Sequence, residues 1–278
     1  MSIPASCRSE FGTHGRLIPA VAGQGPDHMA FDALLLEQCQ TTNNPGPVLR
    51  FYLWEGAWLS LGRHQTPRSS HWLDLVRRGS LKMIRRPSGG GAVLHGGGLT
   101  YALIWPHPPR QRREAYRRVN AWISSGLARL GLELSQGDDP ALAGSQNCFA
   151  SATTADLVDP LGHKRIGSAQ FWQRGHLLQH GEIPLAPSQQ LWEDVFGAAP
   201  PCWQPTAPSA ARVEAALTEA IAELWPGLRW DVIPMNGLEK KLVTARAADY
   251  EVNDSEVSSN NPEARIDVTA WRSGKPKG

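Results

Sequence analysis

Arg85-Arg86-Pro87-Ser88-Gly89-Gly90-Gly91-Ala92-Val93-Leu94-His95 sets two cations, a proline and three consecutive glycines directly before a short apolar run that ends on a histidine. Glycines in succession carry a large cost in backbone entropy. A folded chain keeps them where it needs unusual dihedrals or where another group must approach the main chain closely. Taken alone, the stretch reads as a glycine hairpin between two strands. The chain on either side decides whether it is more than that.

Upstream, residues 48–54 and 57–61 read as two strands joined at Glu55-Gly56 by a tight hairpin. Residues 70–78 read as a short helix burying Trp72, Leu73 and Leu75 or Val76. Further back, a helical pattern begins with Asp27 as its cap, and Met29, Phe31, Leu34, Leu35 and Cys39 recur at three- and four-residue spacing. Asn43-Asn44-Pro45-Gly46-Pro47 stops it. Residues 1–25, rich in glycine, proline and small polar side chains, read as an irregular leader.

Downstream, residues 81–85 and 99–105 are strand-like, and 111–130 form the longest predicted helix. Arg112, Arg113, Arg117 and Arg118 make its early part basic, most simply a solvated face, while Val119, Trp122, Ile123, Leu127 and Leu130 form its apolar stripe. After a polar loop at 137–147, Phe149, Leu157-Val158, Ile166 and residues 170–185 again look like strands, followed by helices at 189–196 and 209–224. From Asp254 the composition turns to Ser, Asn, Pro, Lys and Gly, which predicts a disordered tail with residues 266–268 as a short strand. Strands concentrated in the middle with short connections predict an α+β fold, a central mixed or antiparallel sheet flanked by helices. The expected division is a leader at 1–25, one catalytic domain at 26–250 and a tail at 251–278.

Composition narrows the function classes. With 278 residues, 41% hydrophobic and 19% charged, the chain has the make-up of an ordinary globular protein. A net charge of +2 gives no case for a nucleic acid as partner. No apolar run approaches a membrane span and no secretory pattern opens the chain. Cys7, Cys39, Cys148 and Cys202 are too scattered for a disulfide framework or a zinc knuckle, so free thiols in the cytoplasm are expected. No long apolar helix is left over to pair with a second copy, and a monomer is expected.

The glycines lack the lysine of a phosphate-binding P-loop, and Leu94 stands where a dinucleotide fingerprint needs glycine. Neither a Gly-x-Ser-x-Gly elbow nor a His-Glu-x-x-His metal helix occurs. Four pieces remain: Gly89-Gly90-Gly91, Cys148-Phe149, Lys164 with Gly167-Ser168-Ala169-Gln170, and Gln179-His180-Gly181. Each has an ordinary reading by itself: a small buried thiol, a solvated turn lysine, a polar strand end.

Their order carries more. With Arg50-Phe51-Tyr52-Leu53-Trp54-Glu55, Ser60-Leu61-Gly62-Arg63-His64-Gln65, the glycine stretch and Leu99-Thr100-Tyr101 ahead of them, these pieces resemble the biotin/lipoate protein ligase superfamily over residues 27–250. Within it the chain looks most like the cysteine-dependent octanoyltransferases, with lipoate-protein ligase second. The resemblance implies the superfamily's catalytic fold, related to class II synthetases. It implies octanoyl-acyl carrier protein as donor and, as acceptor, a lipoyl domain of the glycine-cleavage carrier protein or of a 2-oxoacid dehydrogenase. By the same resemblance Cys148 is the nucleophile and Lys164 the active-site cation. Arg85, Ser88, Gly89, Gly90, Gly91, His95, Gly167, Ser168, Ala169 and His180 then fall in the substrate site. No metal and no cofactor are implied; ATP with magnesium belongs to the ligase alternative, and a non-catalytic acyl- or carrier-binding module is the third. Two departures stand out: Gly96 replaces the acidic residue that commonly follows the motif's histidine, and Gly97-Gly98 precede Leu99.

Overall fold

A computed structural model describes residues 13–66, 69–137, 153, 155–201, 203 and 206–252. In chain order these form strand β1 (His14–Gly23), helix α1 (Gly25–Thr41), strands β2 (Val48–Trp54) and β3 (Trp58–Leu61), helix α2 (Ser70–Arg77), and strands β4 (Lys82–Arg85), β5 (Val93–His95) and β6 (Gly98–Trp105). Helix α3 (Arg112–Ala128) follows, then strands β7 (Ser135–Gln136), β8 (Leu157–Val158), β9 (Lys164–Gln173) and β10 (His176–Pro184), helices α4 (Gln189–Phe196) and α5 (Ala210–Leu224), strand β11 (Arg229–Val232) and helix α6 (Gly237–Arg246).

Eight strands form one mixed sheet in the order β11-β1-β2-β6-β10-β9-β8-β7, and three form a second, β4-β3-β5. This is the expected α+β architecture. Both faces of the large sheet are covered, which is why β6 and β10 are buried along their whole length. On one face Leu103, Trp105 and Leu177 pack with Trp122 and Ile123 of α3 and Leu217 of α5. On the other, Ala102, Ile104 and Leu178 pack with Phe31 and Leu35 of α1 and Val243 of α6. The small sheet has its own core, in which Leu59, Leu61 and Leu94 meet Trp72 of α2 and Trp192 of α4.

Several expectations need correction. Residues 14–23 are not an irregular leader: β1 runs parallel to both β11 and β2, so its backbone groups are met from two sides. Asp27 does not cap α1; Gln24 occupies the cap, Pro26 stands in the first turn and Asp27 follows it there. Strands β2 and β3 do not form a hairpin. Gly56, at φ +84°, turns the chain out of the large sheet and into the small one. The glycine stretch is not a hairpin either, since β4 and β5 lie on opposite sides of β3. Residues 170–185 are two strands turned at Arg174-Gly175, both at positive φ, as a two-residue hairpin turn requires. The proposed strands at Phe149 and at 266–268 lie outside the described residues.

Candidate functional site

Strand pairing explains why the glycines sit where they do. Leu61 pairs in parallel with Arg85 while Ser60 pairs in antiparallel fashion with Val93, so residues 86–92 must cross the end of β3. They pass so close that a Cβ on Gly62 would lie 2.1 Å from the Gly90 carbonyl oxygen. Gly90 is the one residue of the triplet at positive φ, +95°. Arg86 fills the inside of the crossing. Its Nη2 donates to the carbonyls of Gly89 (2.7 Å) and Gly91 (2.6 Å), and its Nη1 to that of Ser60 (2.8 Å). Arg85 reaches back to the segment after β3, donating to the carbonyls of Gly62 (3.1 Å) and Gln65 (2.7 Å).

Between this crossing, α1 and the large sheet lies a cleft partly open to solvent. Met29, Tyr52, Trp54, Val93 and Ala169 give it apolar walls, Gly167 leaves part of its floor free of a side chain, and the main chain of Gly181 lines it as well. Gly181 cannot be replaced without displacement, because a Cβ there would lie 2.6 Å from the Tyr101 ring. Of the residues expected in the site, His95, Gly167, Ser168, Ala169 and His180 line this cleft, as does Arg86. Arg85, Ser88 and the three glycines stand behind the lining.

Two histidines on the cleft wall are each held between a carboxylate and a serine hydroxyl. His180 Nδ1 lies 3.2 Å from Asp32 Oδ2 and its Nε2 2.5 Å from Ser88 Oγ. His95 Nδ1 lies 2.8 Å from Glu182 Oε2 and its Nε2 2.7 Å from Ser60 Oγ. Trp54 stacks on the His95 ring with centroids 3.9 Å apart and donates its indole N–H to Thr100 (2.8 Å), which in turn donates to Glu182. Burial pushes His95 below the ordinary histidine range although Glu182 pulls the other way, and Arg86 adds to the lowering, so the ring is neutral. Asp32 is fully buried on α1. Burial alone would raise its pKa, but the Arg50 guanidinium at 2.6 Å and His180 outweigh it and keep the group ionised.

Neither Asp32 nor Glu182 belongs to any motif that stands out in the sequence. A signal for Glu182 existed: in a strand, alternate residues share a face, so position 182 had to look the same way as His180. Asp32 carried none beyond interrupting the apolar run of residues 29–36.

Lys164 opens β9 as a buried cation with its Nζ 2.9 Å from Asp156 Oδ1, both side chains 4% exposed. Asp156 also accepts from the Thr153 backbone N–H (2.8 Å). A strand-end ion pair replaces the solvated turn charge that composition suggests. Lys164 is not among the residues lining the cleft. Cys148 lies outside the described residues. Among the described residues, no group of three or more His, Cys, Asp or Glu side chains is arranged to hold a metal ion. Apolar walls, a floor partly free of side chains and two buried proton-carrying histidines suit an uncharged, extended ligand whose reaction involves proton transfer.

The model for the lipoyl protein ligase A/B catalytic domain matches residues 24–216. The octanoyltransferase LipM of Lysinibacillus sphaericus is 38% identical over 181 residues, covering 61% of this chain and 65% of that protein. The octanoyltransferase LipM of Bacillus subtilis is 35% identical over 181 residues, covering 61% and 64%. The match thus spans just under two thirds of the length of these relatives. Among solved structures, the putative lipoate protein ligase Ta0514 from T. acidophilum superposes with a TM-score of 0.71 at 20% identity over 84% of this chain and 93% of its own. Lipoate-protein ligase A bound with ATP does so with a TM-score of 0.71 at 18% identity, over 91% and 100%. At such identities these two speak for the fold alone.

Proposed function

The chain belongs to the lipoyl protein ligase A/B catalytic-domain family, and from that premise we propose that it moves an octanoyl group from an acyl carrier protein thioester to a lysine of a lipoyl carrier domain. The observation that carries this reading is the cleft: apolar walls from Met29, Tyr52, Trp54 and Val93 over a floor at Gly167 and Gly181. An eight-carbon chain laid there would gain ~0.8 kcal/mol per methylene, about 5 kcal/mol in all. The likeness to octanoyltransferases at 34–38% identity supports the choice of acyl group.

In this reading Cys148 attacks the thioester carbonyl as thiolate, the carbon–sulfur bond to the carrier breaks, and the carrier leaves as a thiol after taking a proton. An ordinary cysteine, with a pKa of about 8.5, is mostly protonated at neutral pH and needs a nearby cation. Lys164 is that cation. Anchored on Asp156, its ammonium is a positioned donor for the carbonyl oxygen as well as a charge for the thiolate. The acceptor lysine, on a glycine-cleavage carrier protein or a 2-oxoacid dehydrogenase subunit, then opens the acyl-enzyme to an amide. A thioester donor is already activated, so the transfer needs no ATP. The reading places the enzyme in the cytoplasm as a monomer, and among the described residues no helix is long and apolar enough to cross a membrane.

The test is to incubate the purified chain with octanoyl-acyl carrier protein and, separately, with octanoate, ATP and magnesium, and to read intact masses. An octanoyl adduct that forms without ATP and disappears in Cys148→Ala is expected. Product that requires ATP and survives the substitution would overturn the transferase in favour of the ligase.

A further inference from the structure

We propose that Ser60, His95 and Glu182 form a catalytic triad that hydrolyses an acyl thioester held in the cleft; this rests on the reading of the cleft as an octanoyl site and on no other part of the transfer. Ser60 Oγ lies 2.7 Å from His95 Nε2, and His95 Nδ1 lies 2.8 Å from Glu182 Oε2. A nucleophile within hydrogen-bond reach of a base that a third group orients is the geometry by which such sites are recognised, whatever the fold. All three residues line the cleft. The other clamp, Ser88 with His180 and Asp32, has the same connectivity, but of its members only His180 lines the cleft. That clamp is a strut between the glycine crossing and α1. The clamp at Ser60 opens on a ligand.

Strand pairing brings the three together. Trp58 pairs with His95 and Ser60 with Val93, so residues 60 and 95 are diagonal neighbours on one face of the small sheet. Glu182 meets them from β10 of the large sheet. The hydroxyl proton has one good acceptor, because the Val93 carbonyl oxygen lies at 3.5 Å against 2.7 Å for Nε2. With the serine donating to Nε2, the ring proton sits on Nδ1 and is donated to Glu182, the one carboxylate among the described residues lining the cleft. Trp54 stacked on the ring and the Thr100 hydroxyl on the carboxylate hold both in place. Arg86 Nη1, 3.3 Å from Ser60 Oγ, sets a positive charge beside the oxygen that must give up its proton.

The reaction balances with water as its co-reactant. Ser60 Oγ forms a bond to the acyl carbonyl carbon while its proton moves to His95 Nε2. The carbon–sulfur bond breaks, and the sulfur takes that proton and leaves as a thiol. Water then adds to the acyl-serine and gives a proton to Nε2; the bond from carbon to Oγ breaks and the proton returns to Oγ. A thioester and water have become a carboxylic acid and a thiol. Neither Cys148 nor Lys164 takes part, so the cleft can clear an acyl group that no acceptor lysine comes to collect.

The full wild-type chain is treated with an octyl fluorophosphonate, which reacts with serines activated by a histidine, and the adduct is mapped by peptide mass spectrometry. An adduct on Ser60 is expected; no adduct, or one only on Ser88 or another residue, overturns the proposal. Hydrolysis of an octanoyl thioester is then followed in Cys148→Ala, where the cysteine cannot contribute. Adding Ser60→Ala is expected to lower the rate about a thousandfold, and a rate that does not depend on Ser60 overturns the proposal. If the double variant does not fold, Cys148→Ala before and after phosphonylation gives the same comparison. An octanoyl adduct on Cys148 of the wild-type chain beside an unlabelled Ser60 sinks this proposal alone. A labelled Ser60 with no adduct on Cys148 sinks the transfer reading and leaves the hydrolase standing.

Discussion

A methyl group added at position 62 and one added at position 89 should have opposite fates. At Gly62 the Cβ would lie 2.1 Å from the Gly90 carbonyl oxygen, so the whole crossing over β3 must shift; at Gly89 no heavy atom stands within 4 Å and φ is not positive. Gly62→Ala is expected to cost about 1–3 kcal/mol in urea unfolding. Gly89→Ala should stay within about 0.5 kcal/mol of the parent or gain slightly, because it removes freedom only from the unfolded chain. The contrast shows what a run of glycines does and does not tell. The triplet in the sequence marks the segment that crosses β3. The tight approach, however, belongs to Gly62, whose partner depends on which strands flank β3. His95 and His180 could be picked out as side chains with chemistry. That each is clamped between a carboxylate and a serine depends on residues 32, 60, 88 and 182 meeting in space, which no local spacing encodes.

Among the elements, α6 shows how one helix end can secure another part of the sheet. Asn236 accepts from the Glu239 backbone N–H (2.9 Å), and Glu239 returns the bond to the Asn236 N–H (2.9 Å). The same carboxylate takes both ends of the Arg16 guanidinium from β1, at 2.6 and 2.9 Å. Asn236→Ala is expected to lower stability by about 1 kcal/mol. Glu239→Ala, which also leaves the Arg16 charge without its partner, should cost about 3 kcal/mol, a difference that thermal melts of the two variants would resolve. The helices α1, α3 and α5 were legible in the sequence to within a few residues. β1 was not. Val21 is 65% exposed and glycines bracket the strand, so the apolar alternation that marks a half-buried strand is weak there, and β1 owes its extended form to its two neighbours. The change of sheet between β2 and β3 was equally hidden, because a glycine at positive φ can close a hairpin or redirect the chain.

For the molecule as a whole, buried neutral histidines set how stability depends on pH. Burial, then the Arg50 charge, pushes His28 down to about 3, and burial lowers His95 as well. Just below pH ~6.5 these histidines take up protons more readily in the unfolded chain than in the folded one, where His28 stays neutral until far stronger acid. Stability should therefore be full above that pH and fall as pH drops from 7 towards 4, by up to about 1.4 kcal/mol per pH unit for His28, with His95 acting in the same direction. Asp32 acts in a separate, lower window. Its lowered pKa contributes stability above the ordinary carboxylate value, and that contribution is lost only in stronger acid. Urea titrations at pH 7, 6 and 5 test the sign, and equal midpoints at all three would rule the account out.

β1 lies between β11 and β2, pairing His14 with Arg229 on one side and Arg16 with Val48 on the other. The stretch that matches the family, residues 24–216, begins where β1 ends and stops before β11 begins. A chain trimmed to those limits would shed two adjacent strands and turn β2, with Leu49, Phe51 and Leu53, into a raw sheet margin open to pairing with other molecules. The border drawn by similarity is therefore not a border along which the polypeptide can be divided. Its sheet is hemmed by a seam between residues more than two hundred positions apart, and the ribosome must finish nearly the whole described chain before that seam can close.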